Sequence, residues 1–501
     1  MNDFLIVGTG PSAFFLTKTL LDKNPTANII VLEAGQKLIN PKHLLSLRKS
    51  SSQEFKLDPT INIGYGGTSQ LWHNVLAPLD SEDFHHKPWI HLSGWPIKKD
   101  CLDPHYKKVS SFFGFDFDIF DNPENFINYH DEINRIKFDE SIFSHKVLMH
   151  PLNYLRTNKS FDELKKKYPS LNIIKGAIAL RFEYKENINS LIFYNLNEKK
   201  FVRINSKNFV LSAGALNNPE ILFNSKHICR NLPLLGKCLM DHPMGNFYQF
   251  KYSKPINARI YQSYKFKKGF AIKTALKLKK NIRERLEMGN SVFYLQPSFS
   301  EGFNNETEIL KLKLLTVREK IKNFKLPIKE IAALTKNFNM AAQIVQYKTG
   351  LLSKHRITDC MFVTEQTPFE KSSVKITNKI NRYGNKETEV DWRLSSEDFE
   401  EVAKAYDYIN KYLMSLNNAL PTYDPSNYFW KDRLSSAAHH LGTVRMSKNS
   451  QQGCVDSNLK VFGTDNVYIC DGSVFATAGN SNPTLTCMAL ASRLGEYLIE
   501  K

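Results

Sequence analysis

Short apolar runs and an amphipathic stretch alternate over the first 35 residues of the chain. The apolar run Phe4–Val7 is followed by a glycine-containing turn, an amphipathic segment that reaches Leu21 and a second apolar run, Ile29–Leu32. Short apolar runs bounded by turn residues predict buried strands, and apolar positions at helical spacing predict a helix packed on them. The pattern therefore predicts a strand, a helix and a second strand, the repeating unit of a parallel α/β sheet.

Two later segments, residues 170–225 and 465–501, have the same α/β character, and the stretches between them differ. Residues 80–165 are rich in aromatic, histidine and turn residues, whereas residues 240–430 mix strand-like pieces with a basic helical tract. The strand-like pieces are 372–376 and 389–392. We therefore expect a doubly wound, Rossmann-like α/β domain that is discontinuous in sequence, and a second domain built on a mostly antiparallel sheet with helices.

The basic tract has the clearest helical periodicity in the chain. Apolar residues recur at alternating steps of four and three: Leu310, Leu314, Val317, Ile321, Phe324 and Ile328. Basic residues occupy the positions between them: Lys311, Lys313, Arg318, Lys320, Lys322 and Lys325. Pro327 should interrupt or kink this helix near its end. Two interpretations stay open, a surface that contacts a membrane or a partner near residues 308–330, and a helix that lies on its own domain with a solvated basic face.

Composition limits the class of protein. The chain has 501 residues, of which 42% are hydrophobic and 24% charged, as in soluble globular proteins, so disordered, fibrous and collagen-like classes are excluded. No apolar run reaches the roughly 18–20 residues that cross a bilayer. The opening residues lack both the basic segment and the length of a signal peptide. We therefore expect a cytoplasmic protein.

The cysteine spacing and the net charge limit the kinds of metal site and binding partner that we expect. The seven cysteines are scattered and form no CxxC motif, so we expect reduced thiols and no metal site, with Cys470 and Cys487 in the core. The 68 Lys and Arg against 50 Asp and Glu give a net charge of +18. Such a charge attracts anionic substrates, lipid surfaces or nucleic acid. Because the lysines are spread along the whole chain, we expect no nucleic-acid site.

The turn after the first apolar run reads GTGPSA, from Gly8 to Ala13. Gly8 permits a tight turn, Gly10 lets the backbone approach a pyrophosphate, and Ala13 allows close helix–strand packing. Pro11 suits the first helical turn, whose free N–H groups bind phosphate. Glu33 ends the second apolar run, where a carboxylate binds ribose hydroxyls. The unit predicts dinucleotide binding, and these residues alone leave FAD and NAD open.

Later motifs favour FAD by resemblance. They are GGTSQLWH at 66–73, SGWPI at 93–97 with DPHY at 103–106, FVLSAGALNNPEIL at 209–222 with GKCLMDHP at 236–243, and HHLGTVRM at 439–446 with the segment 465–498. Together with the amino-terminal turn, these motifs make the chain similar to the glucose–methanol–choline (GMC) family of flavin oxidoreductases. The resemblance follows the family order from residue 4 to residue 498, whereas residues 245–360 match no motif.

The resemblance implies a catalytic pair for oxidising an alcohol, with a sugar or polyol-like substrate expected. His439, three residues before the Gly-Thr pair, occupies the place of the family's base, which removes the O–H proton while hydride passes to flavin N5. The neighbouring His440 should face the opposite way. Asn482 occupies the place of the second catalytic residue, and it also suits a helix N-cap before Pro483. Oxygen or another acceptor would reoxidise the flavin.

The resemblance also implies the cofactor contacts. Thr68, Ser69, Trp72 and His73 match the loop along the flavin, Asp471 and Gly472 match the ribityl contact, and Ala179 matches an adenine contact. The full set is Gly8, Gly10, Pro11, Ser12, Ala13, Glu33, Ala34, Gly67, Thr68, Ser69, Trp72, His73, Ala179, Ala213, Gly214, Asp471, Gly472, Asn482, Pro483 and Thr484. Leu71 stands where some relatives link FAD through a histidine, so we expect non-covalent FAD. His73 would share a strand face with Leu71, so a covalent link from His73 to FAD stays an alternative.

Domain boundaries and alternative functions complete the expectations. The expected units are 1–79, 165–240 and 435–501 for FAD binding, 80–164 as a lid or connecting segment, and 241–434 for substrate binding. One alternative function is a lyase that keeps FAD as a structural element. Another is a non-catalytic flavoprotein scaffold in a membrane-associated polysaccharide-synthesis complex. A scaffold needs neither His439 nor Asn482, so the presence of both favours the enzyme.

Overall fold

The computed structural model describes residues 2–36, 48–50, 60–122, 136–184, 188–257, 261, 264–265, 269–301, 309–310, 313–314, 316–317, 320–321, 326–349, 354–422 and 434–501. The strands in these ranges are β1 (Asn2–Val7), β2 (Ile29–Glu33), β3 (Arg48–Ser50), β4 (Phe143–Pro151), β5 (Leu171–Lys175), β6 (Ala177–Tyr184), β7 (Ile188–Asn195), β8 (Lys200–Leu211), β9 (Pro243–Asn257), β10 (Tyr264–Lys265), β11 (Phe270–Leu278), β12 (Ser291–Ser298), β13 (Lys354–Thr364), β14 (Ser373–Ile380), β15 (Lys386–Asp391), β16 (Ala419–Pro421), β17 (Ser435–Ser436) and β18 (Val467–Ile469). The helices are α1 (Pro11–Lys23), α2 (Asp103–Phe112), α3 (Thr157–Lys167), α4 (Asn218–Phe223), α5 (Lys226–Cys229), α6 (Lys280–Leu286), α7 (Ile328–Thr335), α8 (Phe338–Thr349), α9 (Ser396–Tyr408) and α10 (Thr484–Glu500). Shorter 3₁₀ turns lie at Gly67–Gln70, Ser81–Phe84, Lys99–Cys101, Phe117–Phe120 and Gly472–Val474, and a π-helical turn lies at Ile409–Met414.

The first sheet contains the predicted amino-terminal unit. Its strand order is β5-β2-β1-β8-β7-β6, with β18 also paired to β8. The central strand β1 is parallel to β2 and β8, and Val7 lies opposite both Leu32 and Leu211. These strands therefore end together at one edge of the sheet, where doubly wound folds bind their ligands. The predicted strand–helix–strand order is confirmed.

Helix α10 packs against α1 on this sheet. The contact is close because position 495 is glycine, where an added Cβ would lie 2.8 Å from the Thr19 Cγ2 atom. Cys470 and Cys487 are buried in the same apolar core, as the sequence predicted. All seven cysteine thiols are free.

The second sheet is antiparallel, and it confirms the expected architecture of the second domain. Its strand order is β10-β11-β12-β13-β9-β16, with β4 paired to β11 and β17 paired to β9. One face of this sheet packs against α9 in an apolar core that includes Phe293, Phe362 and Tyr406. The opposite face lies toward the candidate site described below.

The segment 80–164 contributes to both halves of the molecule. Its strand β4 joins the second sheet, whereas α3 contacts α1 on the first. We propose that the domain boundaries stated above hold, with 80–164 as the connection between the two sheets.

The third sheet, of order β14-β15-β3, confirms the two strands predicted near 372–376 and 389–392.

The basic tract is helical at residues 309–310, 313–314, 316–317 and 320–321. Leu310 is buried, but Ile328 at the other end of the predicted stripe is 69% exposed. The prediction that Pro327 interrupts this helix is confirmed, because residues 326 and 327 are not helical and Pro327 is the N-cap of a separate helix, α7. Phe324, Lys311, Arg318, Lys322 and Lys325 lie outside the described residues. None of the helices within the described ranges has the length and hydropathy needed to cross a membrane.

Candidate active site

The turn between β1 and α1 is built as the sequence predicted. Gly8 has a φ of 107°, and a Cβ there would lie 2.3 Å from the Ser212 carbonyl oxygen, so only glycine fits. At Gly10, in contrast, an added Cβ would meet no atom within 4 Å. Helix α1 begins at Pro11, and no side chain caps its first amides. Open space over a glycine at an uncapped helix N-terminus is the environment that a pyrophosphate requires.

Glu33 lies at the carboxyl end of β2 with its carboxylate buried. One carboxylate oxygen accepts a hydrogen bond from the Thr9 hydroxyl and the other accepts one from the Gly35 amide at 2.8 Å. Burial raises the pKa of Glu33 to about 7. Further O–H donors would stabilise the ionised form of a desolvated carboxylate, so Glu33 fits a ribose with two free hydroxyls.

The loop at 66–73 folds differently from the expectation. Gly66 and Gly67 both have positive φ angles, of 102° and 53°, and they begin a 3₁₀ turn that Leu71 closes by donating its N–H to the Thr68 carbonyl at 2.9 Å. Because this segment is a turn and not a strand, the expectation that Leu71 and His73 share a strand face is wrong. Leu71 and His73 are both exposed.

Helix α3 joins this loop to the amino-terminal turn, which the sequence did not indicate. The Thr157 hydroxyl donates to the Thr9 carbonyl at 2.7 Å and to the Gly66 carbonyl at 2.9 Å. The Arg156 guanidinium donates to the Ser69 carbonyl. Neither residue belongs to a recognisable motif, so only the tertiary structure shows that α3 supports the glycine-containing turn.

The ends of β8 and β18 complete this edge of the sheet. The Asp471 carboxylate accepts hydrogen bonds from the Gly214 amide at 2.7 Å, the Asn218 side chain at 2.8 Å and the Ser473 amide at 2.9 Å. Burial raises the pKa of Asp471. The carboxylate therefore holds two protein loops together. The sequence expectation assigned it a flavin contact, which stays a prediction.

The residues expected at the cofactor differ in exposure, and several of their partly exposed members directly follow the ends of β1, β2, β8 and β18. The buried ones are Ser12, Ala13, Glu33, Ser69, Asp471 and Pro483; the partly exposed ones are Gly8, Gly10, Pro11, Ala34, Gly67, Trp72, Ala179, Ala213, Gly214, Gly472, Asn482 and Thr484; and the exposed ones are Thr68 and His73.

The buried carboxylate of Asp241 positions His439. It accepts hydrogen bonds from the Ser436 hydroxyl at 2.6 Å, the Ala437 amide at 3.1 Å and the His439 amide at 3.0 Å. A buried carboxylate is stable only when such donors replace its hydration. Burial nevertheless raises the pKa of Asp241 to about 6. The loop that contains His439 is therefore fixed to the start of β9.

The His439 imidazole makes two close polar contacts. Its Nε2 atom lies 3.2 Å from the Asn482 Nδ2 atom, and its Nδ1 atom lies 2.8 Å from the His242 Nδ1 atom. Burial, and secondarily the neighbouring His242, hold the pKa of His439 well below its usual value of 6.5. The ring is therefore neutral at pH 7 and has a lone pair available. His440 diverges from it, with its Nε2 atom 3.9 Å from an Asp241 carboxylate oxygen.

Asn482 is not the N-cap that the sequence suggested. Helix α10 begins at Thr484 with Pro483 as its N-cap, and the Asn482 side chain contacts His439. Two buried hydrogen bonds fix the segment that precedes Asn482. The Lys146 ammonium donates to the Ser481 hydroxyl at 2.5 Å, and the Trp95 indole N–H donates to the Thr477 hydroxyl at 2.9 Å.

His242 was missed at the sequence level as a member of the site. It belongs to the GKCLMDHP motif, but its side chain has no role in the resemblance. In the structure its Nδ1 atom contacts His439, and its Nε2 atom lies 3.2 Å from the Ala478 carbonyl oxygen. The sequence signal for His242 was its place in the DHP sequence. No spacing rule links it to His439, which lies 197 positions further along the chain.

This fold is shared with solved oxidoreductase structures. It resembles pyridoxine 4-oxidase from Mesorbium loti, with a TM-score of 0.57, 14% identity and 100% of both chains covered. An FAD-dependent oxidoreductase from Chaetomium thermophilum gives a TM-score of 0.59 and 14% identity over 100% of this chain and 99% of that one. At this identity the likeness shows the fold alone.

Sequence comparison finds similarity over part of the chain. Residues 368–491 match the profile described as GMC oxidoreductase. The chain is 37% identical over 60 residues to a 2-methyl-1,2-propanediol dehydrogenase from Mycolicibacterium austroafricanum, covering 12% of this chain and 11% of the relative. It is 36% identical over 64 residues to a cholesterol oxidase from Acinetobacter baumannii, covering 13% and 12%. These alignments span only about a tenth of each relative. Residues 368–491 of the chain therefore resemble the GMC oxidoreductase family.

We expect the two glycines of the turn to respond oppositely to substitution. Gly10→Val should abolish FAD binding and leave the thermal midpoint of the apoprotein unchanged, because the added side chain enters space that only a ligand fills. The matched variant Gly8→Ala should lower the free energy of unfolding by about 2–4 kcal/mol, because its Cβ meets backbone at a strained φ. Flavin absorbance of the purified proteins and apoprotein melting curves measure the two effects. A yellow Gly10→Val protein with normal flavin content would contradict the assignment.

Proposed function

We propose that this protein is an FAD-dependent oxidoreductase that oxidises the CH–OH group of an alcohol. The observation that carries the proposal is the pairing of a neutral, partly exposed His439 with the Asn482 amide at the ligand-binding edge of the first sheet. An alcohol can lose hydride only as its O–H proton leaves, so the reaction requires a base and a group that holds the oxygen.

His439 serves as the base in this proposal. Its Nε2 atom takes the hydroxyl proton. The low pKa keeps the ring neutral at neutral pH, and a neutral imidazole has one nitrogen with a free lone pair. The Asn482 amide donates to the substrate oxygen as negative charge develops there, and it does not compete for the proton. The fixed backbones of the His439 loop and of residues 477–482 keep both groups oriented without reorganisation. FAD, when bound, accepts the hydride from the carbinol carbon.

The residues present fit FAD, and we propose that they bind it non-covalently. Gly10 and the first amides of α1 would hold the pyrophosphate, and Glu33 would hold the adenosine ribose. Leu71 occupies the position of the histidine that forms the covalent link in some relatives. A side chain without a nucleophilic atom cannot form that bond.

The proposal extends to the substrate and the electron acceptor. The sequence expectation is a sugar or polyol-like substrate, with oxygen or another compound as acceptor and a cytoplasmic location. Relatives are named for other alcohols, among them cholesterol oxidase and the long-chain-alcohol oxidase FAO3 of Arabidopsis thaliana. A lyase or a non-catalytic scaffold with the same cofactor is the alternative, and neither would reduce its flavin with an alcohol.

We also propose peripheral contact with an anionic lipid surface around α7. Leu326 and Ile328 are 83% and 69% exposed, and Phe338 at the start of α8 is 68% exposed. Lys329 and Lys336 are exposed nearby. Exposed large apolar side chains among lysines are typical of segments that insert shallowly into the headgroup region of a bilayer.

We expect His439→Ala to retain FAD and to slow reduction of the flavin by an alcohol roughly 10²–10⁴-fold, the usual contribution of a positioned base. Anaerobic stopped-flow spectroscopy of the holoenzyme measures the reduction rate. His227→Ala, which removes an exposed histidine on α5, is the control and should behave as the wild type. Wild-type reduction rates in His439→Ala would remove this residue from the mechanism.

We expect the wild-type protein to float with phosphatidylserine-containing vesicles and not with neutral ones, since the lysines require anionic lipid. The double variant Leu326→Ser/Ile328→Ser should reduce the bound fraction roughly tenfold. Leu420→Ser, at a residue that is 72% exposed on β16, controls for the loss of any surface leucine. Equal flotation of all three proteins would contradict the proposed contact.

A further inference from the structure

The face of the second sheet that lies away from α9 has a distinctive composition. Residues directly opposite each other in antiparallel strands share a face. Met244 on β9 lies opposite Val363 on β13, which lies opposite Val292 on β12. Tyr294 and Met361 form the next cross-strand pair on this face. One apolar surface therefore crosses three strands.

Loops of the candidate site border this surface at both ends. On one side, Met244 follows His242 by two positions and pairs with Ser435, which leads to His439. On the other side, Lys146 shares the face through its position opposite Ala275 and donates to Ser481, the neighbour of Asn482. The surface therefore lies next to the catalytic pair proposed above.

The partly exposed residues of this surface include apolar and polar side chains. Asn246 lies opposite Met361, and the Lys273 ammonium lies 4.5 Å from the centre of the Tyr294 ring. Val75, Met244 and Met361 are partly exposed and pack around a buried apolar cluster. That cluster consists of Ala77, Leu148, Ala275, Val292, Tyr294 and Val363. The Lys146 ammonium at its border lies 3.2 Å from an Asp80 carboxylate oxygen and is compensated within the protein. The open area thus presents the methyl and thioether groups of Val75, Met244 and Met361 together with the polar groups of Asn246 and Lys273.

We propose that the substrate is an alcohol with an apolar carbon skeleton around the reacting carbon, and not a polyol. This inference rests on the proposed function. A sugar would place several hydroxyls against Met244, Met361 and Val75, which offer no hydrogen bonds in return, and desolvating those hydroxyls is unfavourable. A hydrocarbon skeleton would instead gain from burying its surface there.

We expect 1-hexanol and benzyl alcohol to reduce the flavin of the holoenzyme at least tenfold more efficiently than glucose or glycerol. Met361→Gln nearly conserves volume but adds an amide, so it should raise the KM for 1-hexanol roughly tenfold. Binding of 2-methyl-2-hexanol, which has no carbinol hydrogen and cannot react, should weaken to the same extent in calorimetry. Leu420→Gln, distant from this surface and exposed, is the control.

The outcomes separate the two proposals. Faster reduction by glucose or glycerol, or unchanged 2-methyl-2-hexanol affinity in Met361→Gln, would overturn the apolar substrate and leave alcohol oxidation standing. If no alcohol of either kind reduced the flavin, alcohol oxidation itself would be overturned, and this inference with it.

A second, independent inference concerns the protons on the two histidines. The His242 Nε2 atom lies 3.2 Å from the Ala478 carbonyl oxygen, which can only accept, so this nitrogen bears a hydrogen. His242 is fully buried, and its pKa is lowered to about 4. The ring is therefore neutral at pH 7, and its Nδ1 atom is an acceptor.

The state of His439 follows from this arrangement. Its Nδ1 atom lies 2.8 Å from the His242 Nδ1 atom, and a hydrogen bond between two nitrogens requires one hydrogen. Because His242 accepts, His439 must donate from Nδ1. A neutral imidazole has a single N–H, so the His439 Nε2 atom has a lone pair beside Asn482.

We infer that His242 is a positioning residue that selects the reactive tautomer of His439. When the substrate proton reaches the His439 Nε2 atom, the Nδ1–H bond to His242 remains in place and stabilises the imidazolium. A carboxylate performs this role in serine proteases. Here the carboxylate of Asp241 binds the backbone of the His439 loop, and a neutral ring contacts the imidazole.

We expect nitrogen-15 NMR of the histidine-labelled holoenzyme to show His439 protonated at Nδ1 and bare at Nε2. His242→Phe keeps a ring but removes the acceptor, so it should populate the other tautomer and slow flavin reduction on the order of 10²-fold. His242→Asn replaces the acceptor at about the position of Nδ1 and should restore most of the rate. Flavin content and melting temperature serve as controls for folding.

The pH profile gives a readout that a merely structural role would not move. His242→Asp places a negative charge beside His439 and should raise the pKa of that ring. Because the base works only when unprotonated, the loss of rate on acidification should then begin at a higher pH than in the wild type. An unshifted acid limb in His242→Asp, or a wild-type spectrum with His439 protonated at Nε2, would overturn the inference.

Discussion

The buried carboxylate of Asp241 is the interaction on which the rest of the site depends. Without compensation, a buried carboxylate is strongly disfavoured. Here it accepts hydrogen bonds from the Ser436 hydroxyl and from the amides of Ala437, His439 and His242. The same group therefore fixes the beginning of the second sheet and the loop that contains the proposed base. The position of His439 follows from satisfying this one charge.

The environment of the catalytic pair combines neutral reacting groups with compensated charges nearby. Burial lowers the pKa of His439 and of His242, so neither ring is charged at neutral pH. Buried lysines form ion pairs with acidic residues. The Lys87 ammonium, for example, lies 2.6 Å from a Glu365 carboxylate oxygen. The net charge of +18 is therefore a poor guide to the site, since its nearby cations are internally paired.

Local periodicity predicted the elements, whereas long-range pairing did not follow from it. The apolar run before Gly8 and the terminal helix behind Asn482 were readable because each has its own pattern of buried positions. The pairing of His439 with Asn482 could be expected only through the family resemblance. The contacts of Thr157 with Thr9 and of His242 with His439 join residues far apart in sequence, where no spacing rule applies. The additional interpretation of Asn482 as an N-cap came from a rule that considers only neighbours along the chain, whereas its side chain contacts His439 on another loop.

The packing of α10 on α1, together with the pairing of β18 to β8, has a consequence for the biosynthesis of the protein. The glycine-containing turn between β1 and α1 is translated before the second sheet, whereas the strand and helix that complete its own sheet, β18 and α10, are translated after the second sheet. The second sheet, in contrast, has all its strands available before then. A cofactor site between these elements would consequently be complete only after β18 and α10 have been translated, and a chain interrupted before that point would expose the unfinished edge of its first sheet to chaperones and proteases.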